Sequence, residues 1–126
     1  MPTINKYQNI DEVTREAKKD YIDRHSPFIH CENSAKTGEK FAVTVKVGNE
    51  YTHPDDFDHF IANIALYDGE TLLARADFVP GTLANQKSQA EVTFNIIPTK
   101  KLNLVAQAYC TKHGIWESEA TVVTVD

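Results

Sequence analysis

The sequence has little cysteine, an excess of acidic over basic residues and no long apolar run, and each of these features excludes a class of protein. Only two of its 126 residues are cysteines, Cys31 and Cys110, too few for a disulfide framework or for an iron centre held by four thiolates. The net charge of −5 argues against nucleic acid and against an anionic membrane surface as the partner. No apolar run approaches the roughly 20 residues that span a bilayer.

The polar N-terminal residues lack the apolar core of a signal peptide, which predicts a cytoplasmic protein whose two cysteines remain thiols. A hydrophobic content of 41% and a charged content of 25% are ordinary for a soluble globular domain. The chain shows no internal repeat, low-complexity tract or linker. We therefore expect one domain over residues 1–126, long enough to bury a core.

One segment has helical periodicity. Ile10, Val13, Ala17 and Tyr21 recur at helical spacing, and a polar residue at the start fits a capping pair. The pattern predicts a short N-terminal helix over residues 9–22, with the three residues before Ser26 in a loop or extended segment, because a proline follows at position 27.

The rest of the chain alternates between apolar and polar residues with period two. Six segments show this pattern: 40–47, 60–67, 71–78, 90–97, 102–110 and 116–125. A turn sequence, DGE, joins the second to the third and indicates a hairpin. Short strands separated by turns predict an all-β fold, an immunoglobulin-like antiparallel β-sandwich of about seven strands over residues 26–126.

The histidines concentrate at the predicted boundaries between elements. The chain has five of them, and four fall in connections, where function concentrates on a rigid sandwich: His25, His53, His59 and His113. His30 is expected to be a strand residue. Each histidine or C-x-x-H pair alone is more often a surface feature than a ligand, but Cys110 and His113 lie three residues apart and His53 and His59 flank a short loop. Together they indicate a metal site.

Three of these segments resemble a known family. The segments DRHSP (23–27), HPDDFDHFI (53–61) and CTKHGIW (110–116) are similar to motifs of the superoxide reductases, the neelaredoxin and desulfoferrodoxin group, in the same order and at similar intervals. The resemblance extends over residues 10–126 and implies the one-iron form, whose fold is a seven-stranded immunoglobulin-like sandwich. It also implies a mononuclear non-haem iron with these ligands: His25, His53, His59 and His113 as equatorial imidazoles and Cys110 as the axial thiolate.

The chemistry of this implied ligand set is consistent with iron. Five ligands exceed the four of a structural zinc site, and four imidazoles exceed the two that accompany the thiolate in blue-copper sites. A thiolate donates electron density strongly to the metal, as in haem thiolate proteins. We also expect the backbone N–H groups of Lys112 and His113 to face the sulfur, Gly114 to permit the bend after Cys110, and Trp116 to be a core residue.

The resemblance implies one-electron reduction of superoxide to hydrogen peroxide, with one iron per chain alternating between the ferrous and ferric states. The family's rubredoxin-like module is missing from this sequence, so we expect an external electron donor, rubredoxin, and the family also implies a homo-oligomer, tetramer or dimer. Two alternatives remain at this stage: an electron-transfer or oxygen-sensing iron protein with the same site, and a non-catalytic immunoglobulin-like binding module.

Two implied catalytic residues depart from the family pattern, because Asp23 and Arg24 replace a glutamate and a lysine. Arg24 retains the positive charge that attracts superoxide, but an arginine, with a pKa above about 12, is a poor proton donor. Asp23 is one methylene shorter than the glutamate, so we expect it not to reach the metal. The loop that contains Asp55, Asp56 and Asp58 lacks calcium-loop spacing and is expected to be solvated.

Overall fold

The computed structural model describes residues 3–13, 19–79 and 90–126. Within these residues the chain forms one helix, α1 (Lys19–His25), and the strands β1 (Ile4–Asn5), β2 (Pro27–His30), β3 (Ser34–Ala35), β4 (Phe41–Val47), β5 (Ile61–Asp68), β6 (Thr71–Asp77), β7 (Glu91–Ile96), β8 (Leu102–Cys110), β9 (Gly114–Glu117) and β10 (Thr121–Val125). The strands form a seven-stranded and a three-stranded sheet, which confirms the predicted all-β sandwich.

Strand β8 is the central strand of the larger sheet. Strand β5 pairs antiparallel with it on one side and carries β6 through a hairpin whose ends are Asp68 and Thr71, as the turn sequence predicted. On the other side β9 and β10 pair with opposite ends of β8. The short strands β1 and β3 add parallel pairs to β9 and β10. One consequence is that the last pair of residues along β5 and β8, Ile61 and Cys110, lies at the end of the sheet where the histidine-bearing loops begin.

The predicted last strand, 116–125, is wrong in its continuity. The chain leaves β9 after Glu117 and enters β10 at Thr121. The buried Ser118 causes this break, because its N–H donates to Ala106 O and its Oγ accepts from Ala106 N–H, each at 2.8 Å. A side-chain oxygen thus replaces a backbone oxygen in the ladder, and the strand cannot continue in register.

The smaller sheet is β2–β4–β7, and its inner face closes the core. Strand β4 alternates as predicted, with every second side chain buried. On β8 the alternation is the same and ends on Cys110, which is fully buried. Burial of each aliphatic side chain contributes about 1.5–3 kcal/mol. The side chains of the core cluster are Ala35, Phe41, Val43, Val45, Val47, Ile61, Ile64, Leu66, Ala90, Leu102, Leu104, Ala106, Ala108, Cys110 and Val123.

The helix differs from the prediction of 9–22. Residues 10–13 form a turn and bends, residues 14–18 lie outside the described residues, and α1 continues to His25. The segment expected to be a loop, from Asp23 to His25, is therefore the last turn of the helix. A proline disfavours helical geometry only at the residue before it, and that residue is Ser26, whose N–H and Oγ both donate to Ile22 O. None of the described helices is long and apolar enough to cross a membrane.

Candidate metal centre

Three segments that are distant in sequence meet at one end of the sandwich. The last residue of α1 is His25, the connection before β5 carries His53 and His59, and the turn after β8 carries His113. Because β5 and β8 are paired up to Cys110, the connection before β5 and the turn after β8 are neighbours. Thr111 joins them further: its N–H donates to Phe60 O at 3.0 Å, and its Oγ1 accepts from Phe60 N–H at 3.2 Å.

The four imidazole rings form a closed cycle. Consecutive ring centroids are 4.7–4.8 Å apart in the order His25, His53, His59, His113 and back to His25. Each ring is turned by 74–83° from the next, whereas the diagonal pair His25 and His59 is nearly parallel, at 22° and 6.1 Å. This cycle, in which each ring is nearly perpendicular to its two neighbours, is called the histidine cycle below, and it directs nitrogens toward a common centre.

Hydrogen bonds fix which nitrogen of His25 and His53 faces that centre. A carbonyl oxygen can only accept, so Nδ1–H of His25 donates to Tyr21 O and Nδ1–H of His53 donates to Pro54 O, each at 2.7 Å. Each Nε2 is left as a lone-pair donor directed inward. His59 Nε2 is buried and has no hydrogen-bond partner, which is costly unless something else binds it.

Cys110 and His113 complete the set of inward atoms. His113 turns its Nδ1 inward, 3.0 Å from His25 Nε2 and 3.7 Å from Cys110 Sγ. His53 Nε2 lies 3.3 Å from the same sulfur. One ligand atom from each of His25, His53, His59 and Cys110 lies within 4.8 Å of every other, and His113 joins this group through its own contacts.

The turn after β8 shapes the environment of the thiol. Burial raises the pKa of Cys110, while the backbone N–H groups of Lys112 and His113 donate to its sulfur and lower that pKa, as expected from the sequence. Gly114 has φ of 87°, a left-handed conformation that side chains disfavour, so the predicted bend is also present. A thiol with a raised pKa becomes a thiolate most readily when a cation binds it.

Burial makes the imidazoles neutral at neutral pH. It lowers the pKa of His25 to about 4 and that of His53 to about 3, more than the hydrogen bonds to Tyr21 and Pro54 raise them. Burial also lowers the pKa of His59 and of His113. Neutral imidazoles have free lone pairs, and the unpartnered His59 Nε2 lies among them. The donor set, four nitrogens and one sulfur, therefore fits the iron that the family resemblance implies.

Two basic residues lie beside the histidine cycle. The positive charge of Arg24 lowers the pKa of all four histidines and of the cysteine: His25, His53, His59, Cys110 and His113. Its Nη1 is 3.7 Å from Asp20 Oδ2, and its side chain is 32% exposed. Lys112, which is exposed, acts in the same direction on His59, Cys110 and His113. Although the chain is acidic overall, the potential at the site is thus raised by basic residues.

The other residues considered from the sequence lie outside the group of converging ligand atoms. Asp23 is buried, and its Oδ2 accepts three backbone N–H groups from residues 49–51; it is not in the group of converging ligand atoms. His30 lies on β2, a strand residue as predicted, and it is exposed. Asp56 and Asp58 are exposed as expected, but Asp55 is 6% exposed, so the prediction of a fully solvated loop is wrong at that residue.

Sequence reasoning missed the aromatic side chains that pack against the histidine cycle. Trp116 is buried, as predicted, but it also stacks on His25 at 5.1 Å and donates its Nε1–H to His113 O at 3.1 Å. The Tyr21 ring contacts His25 and His113, at 4.6 and 5.1 Å between centroids. The spacing of Tyr21, four residues before His25 on one face of a helix, was the available signal, but it was lost because the helix was expected to end earlier.

Comparison with known proteins agrees with the family resemblance of the sequence. The sequence model of the family described as desulfoferrodoxin matches residues 13–119. The superoxide reductase of Thermococcus kodakarensis is 34% identical over 106 residues, covering 79% of this chain and 88% of that protein, and the one of Pyrococcus furiosus is 32% identical over 113 residues, covering 79% and 89%. The solved structure of superoxide reductase (neelaredoxin) from Ignicoccus hospitalis has a TM-score of 0.74 and 27% identity, covering 98% of this chain and 95% of that one.

Proposed function

The chain belongs to the desulfoferrodoxin family, and we propose that it is a superoxide reductase that forms hydrogen peroxide from superoxide. The observation that carries this proposal is the closed histidine cycle beside a buried cysteine. Its proposed ligands are His25, His53, His59, His113 and Cys110. They come from the three segments that carry the family resemblance, and relatives of similar length are named for this activity.

Iron, when bound, supplies the one-electron couple that reduces superoxide; ferrous and ferric states and one ion per chain are part of the proposal. The protein contributes neutral imidazoles, which keep the charge of the site positive enough for an anion to approach. Cys110 contributes a strongly donating thiolate whose donor strength is adjusted by two backbone N–H groups. The hydrogen bonds of His25 and His53 to carbonyl oxygens hold their Nε2 atoms inward before any metal arrives.

Arg24 is the proposed catalytic residue for substrate capture. It follows Asp23 in the last turn of α1, next to His25, and its charge acts on every proposed ligand. Such a charge raises the encounter rate of an anion with the site. The overall reaction consumes one superoxide, one electron and two protons for each hydrogen peroxide. Arginine keeps its proton at all ordinary pH values, so Arg24 is not the proton donor in this proposal, and water supplies both protons.

The electron that completes each turnover comes from another protein in this proposal. The family resemblance supports rubredoxin as that donor and a homo-oligomer, tetramer or dimer, as the assembly. The same resemblance supports a cytoplasmic protein that removes superoxide.

The proposal is tested by anaerobic purification, metal analysis, a visible spectrum of the oxidised protein, and a superoxide-consumption assay. We expect about one iron per chain, a thiolate-to-ferric charge-transfer band, and superoxide consumption without oxygen evolution. Iron and the band without turnover would instead indicate the electron-transfer or sensing alternative. Oxygen evolution would indicate a dismutase, and a colourless, metal-free protein would refute the iron site.

A further inference from the structure

A buried carboxylate connects two segments that carry proposed ligands. Asp23 is 1% exposed, and its Oδ2 accepts the backbone N–H groups of three consecutive residues, Asn49 at 3.0 Å, Glu50 at 2.9 Å and Tyr51 at 2.9 Å. Consecutive N–H groups that converge on one anion form a nest, which favours a negative charge. Hydrogen bonds to an ionised acceptor are about twice as strong as those between neutral groups.

The turn at residues 48–51 is shaped to approach this carboxylate. Gly48 has φ of 84°, and a Cβ there would lie 2.2 Å from Tyr51 O and 3.4 Å from Arg24 Cα, so a larger residue would collide with backbone. Its N–H donates to Ser26 O at 2.9 Å. The last turn of α1 is therefore attached to this turn through both the side chain of Asp23 and the backbone of Ser26.

The two attached segments lead directly to two neighbouring imidazoles. His25 follows Asp23 by two residues, and His53 follows Tyr51 by two residues. Their ring centroids are 4.7 Å apart at 83°. In the described part of the chain, neither histidine donates to the other's segment: Nδ1 of His25 bonds within its own helix, and Nδ1 of His53 bonds to the next residue. The distance between the two segments thus depends on the carboxylate and its nest, together with the Gly48 N–H bond to Ser26 O and the pairing of Pro27 with Val47.

We propose that Asp23 is a positioning residue: by binding the backbone N–H groups of residues 49–51, it holds His25 and His53 in place on their side of the histidine cycle. This deepens the proposed function, since it rests on the assignment of those two histidines as ligands. In the family the residue at this position is a glutamate that can bind the metal. The shorter side chain here binds the nest instead. Its second oxygen, Oδ1, is buried without a hydrogen-bond partner, and a ligand role for that oxygen is the competing account.

The first experiment uses metal-free protein and does not depend on activity. Amide hydrogen exchange is measured by NMR for residues 49–51 in the wild type and in Asp23→Ala, Asp23→Asn and Asp68→Ala. Asp68 is the matched control, because its Oδ1 also accepts a backbone N–H, that of Asn103 at 2.9 Å, at the β5–β6 hairpin. We expect exchange at residues 49–51 to accelerate at least about tenfold in Asp23→Ala, less in Asp23→Asn, and not in Asp68→Ala. Unchanged exchange in Asp23→Ala would overturn the proposal.

The second experiment measures metal binding with cobalt(II), whose visible bands report imidazole and thiolate ligation directly. Loss of a group that orients metal ligands typically costs 10- to 100-fold in affinity, so Asp23→Ala should bind cobalt about 10- to 100-fold more weakly. Asp23→Asn retains an acceptor for the nest and should fall between Asp23→Ala and the wild type. Asp68→Ala should bind like the wild type.

The ferric spectrum distinguishes a positioning role from ligation. A positioning residue lowers metal occupancy but leaves the charge-transfer band of the remaining ferric sites in place. A shifted band at unchanged affinity in Asp23→Ala would show that the carboxylate binds the metal, and the proposal would be wrong. If the wild type binds cobalt and iron but does not reduce superoxide, the proposed function fails, while the positioning role of Asp23 in the histidine cycle stands.

Discussion

The two sides of the histidine cycle are held by different kinds of contacts. On one side Cys110 and His113 lie within four residues of each other, and their geometry follows from a tight turn closed by Gly114. On the other side His25 and His53 are 28 residues apart in sequence and are brought together by the Asp23 nest and a helix. One site thus combines a local motif, which is readable from sequence spacing, with a pairing of distant segments that only the fold provides.

The largest effect is expected at the centre of the local side. Cys110→Ser should abolish both the thiolate-to-ferric band and superoxide reduction, because a hydroxyl is a much weaker electron donor than a thiolate. The sandwich should remain folded by circular dichroism. Cys31→Ser is the matched control, since Cys31 is a half-buried free thiol and should leave colour and activity intact. Loss of colour in both variants would mean that the assignment of the two cysteines is wrong.

Two single substitutions each remove one imidazole, one from either side of the site. His113→Ala and His53→Ala should each lower iron occupancy measured by metal analysis, since each removes an inward nitrogen. His30→Ala, on exposed β2, should stay near the wild type. If His30→Ala lost as much iron as the other two, the ligand set proposed here would have to be revised.

The buried imidazoles also predict how the metal-free protein responds to acid. Unfolded histidines take up protons near pH 6.5, whereas folded His25 does so near pH 4 and His53 near pH 3. Between these values the unfolded chain binds more protons, so the free energy of unfolding falls as the pH drops from about 6.5 toward 3, by on the order of a few kcal/mol.

Denaturant unfolding of metal-free protein at several pH values measures this slope. His25→Gln should flatten it by removing one of the depressed groups, while His30→Gln should not change it. A free energy of unfolding that is the same at pH 7 and pH 4.5 would contradict the prediction.

Arg24 lies on the helical side, and its removal should affect capture rather than the metal. Arg24→Ala should slow second-order reaction with superoxide by roughly tenfold and make the rate less dependent on salt, because electrostatic steering is lost. Arg24→Lys should restore most of the rate, and Arg75→Ala, on β6, should leave it unchanged. An unchanged rate in Arg24→Ala would assign the guidance of superoxide to Lys112.

The sequence predicted the local side of the site better than the distant side. Alternation on β4 and β8 indicated the sandwich and the burial of Cys110, because an apolar residue at every second position is typical of a strand that buries one face. It could not place Asp23 or Arg24, because their position depends on a helix that continues to the residue before Ser26, and proline at 27 suggested an earlier end. The break at Ser118 and the nest at residues 49–51 were also unreadable, since each depends on backbone groups whose partners are distant in sequence.

The smallest expected effect separates backbone strain from metal positioning on the local side. Gly114 and Gly38 both have positive φ, 87° and 78°, and a Cβ at Gly38 would meet nothing within 4 Å, while one at Gly114 would meet only Asn5 Nδ2 at 3.9 Å. Alanine at either position should therefore lower the free energy of unfolding by a similar amount, about 1 kcal/mol, from backbone strain alone. Only Gly114→Ala should also weaken cobalt(II) binding, because its strain relaxes through the turn that holds Cys110 and His113. Equal cobalt affinity in the two variants would mean that this turn is held by Thr111 and Trp116 and does not depend on the glycine.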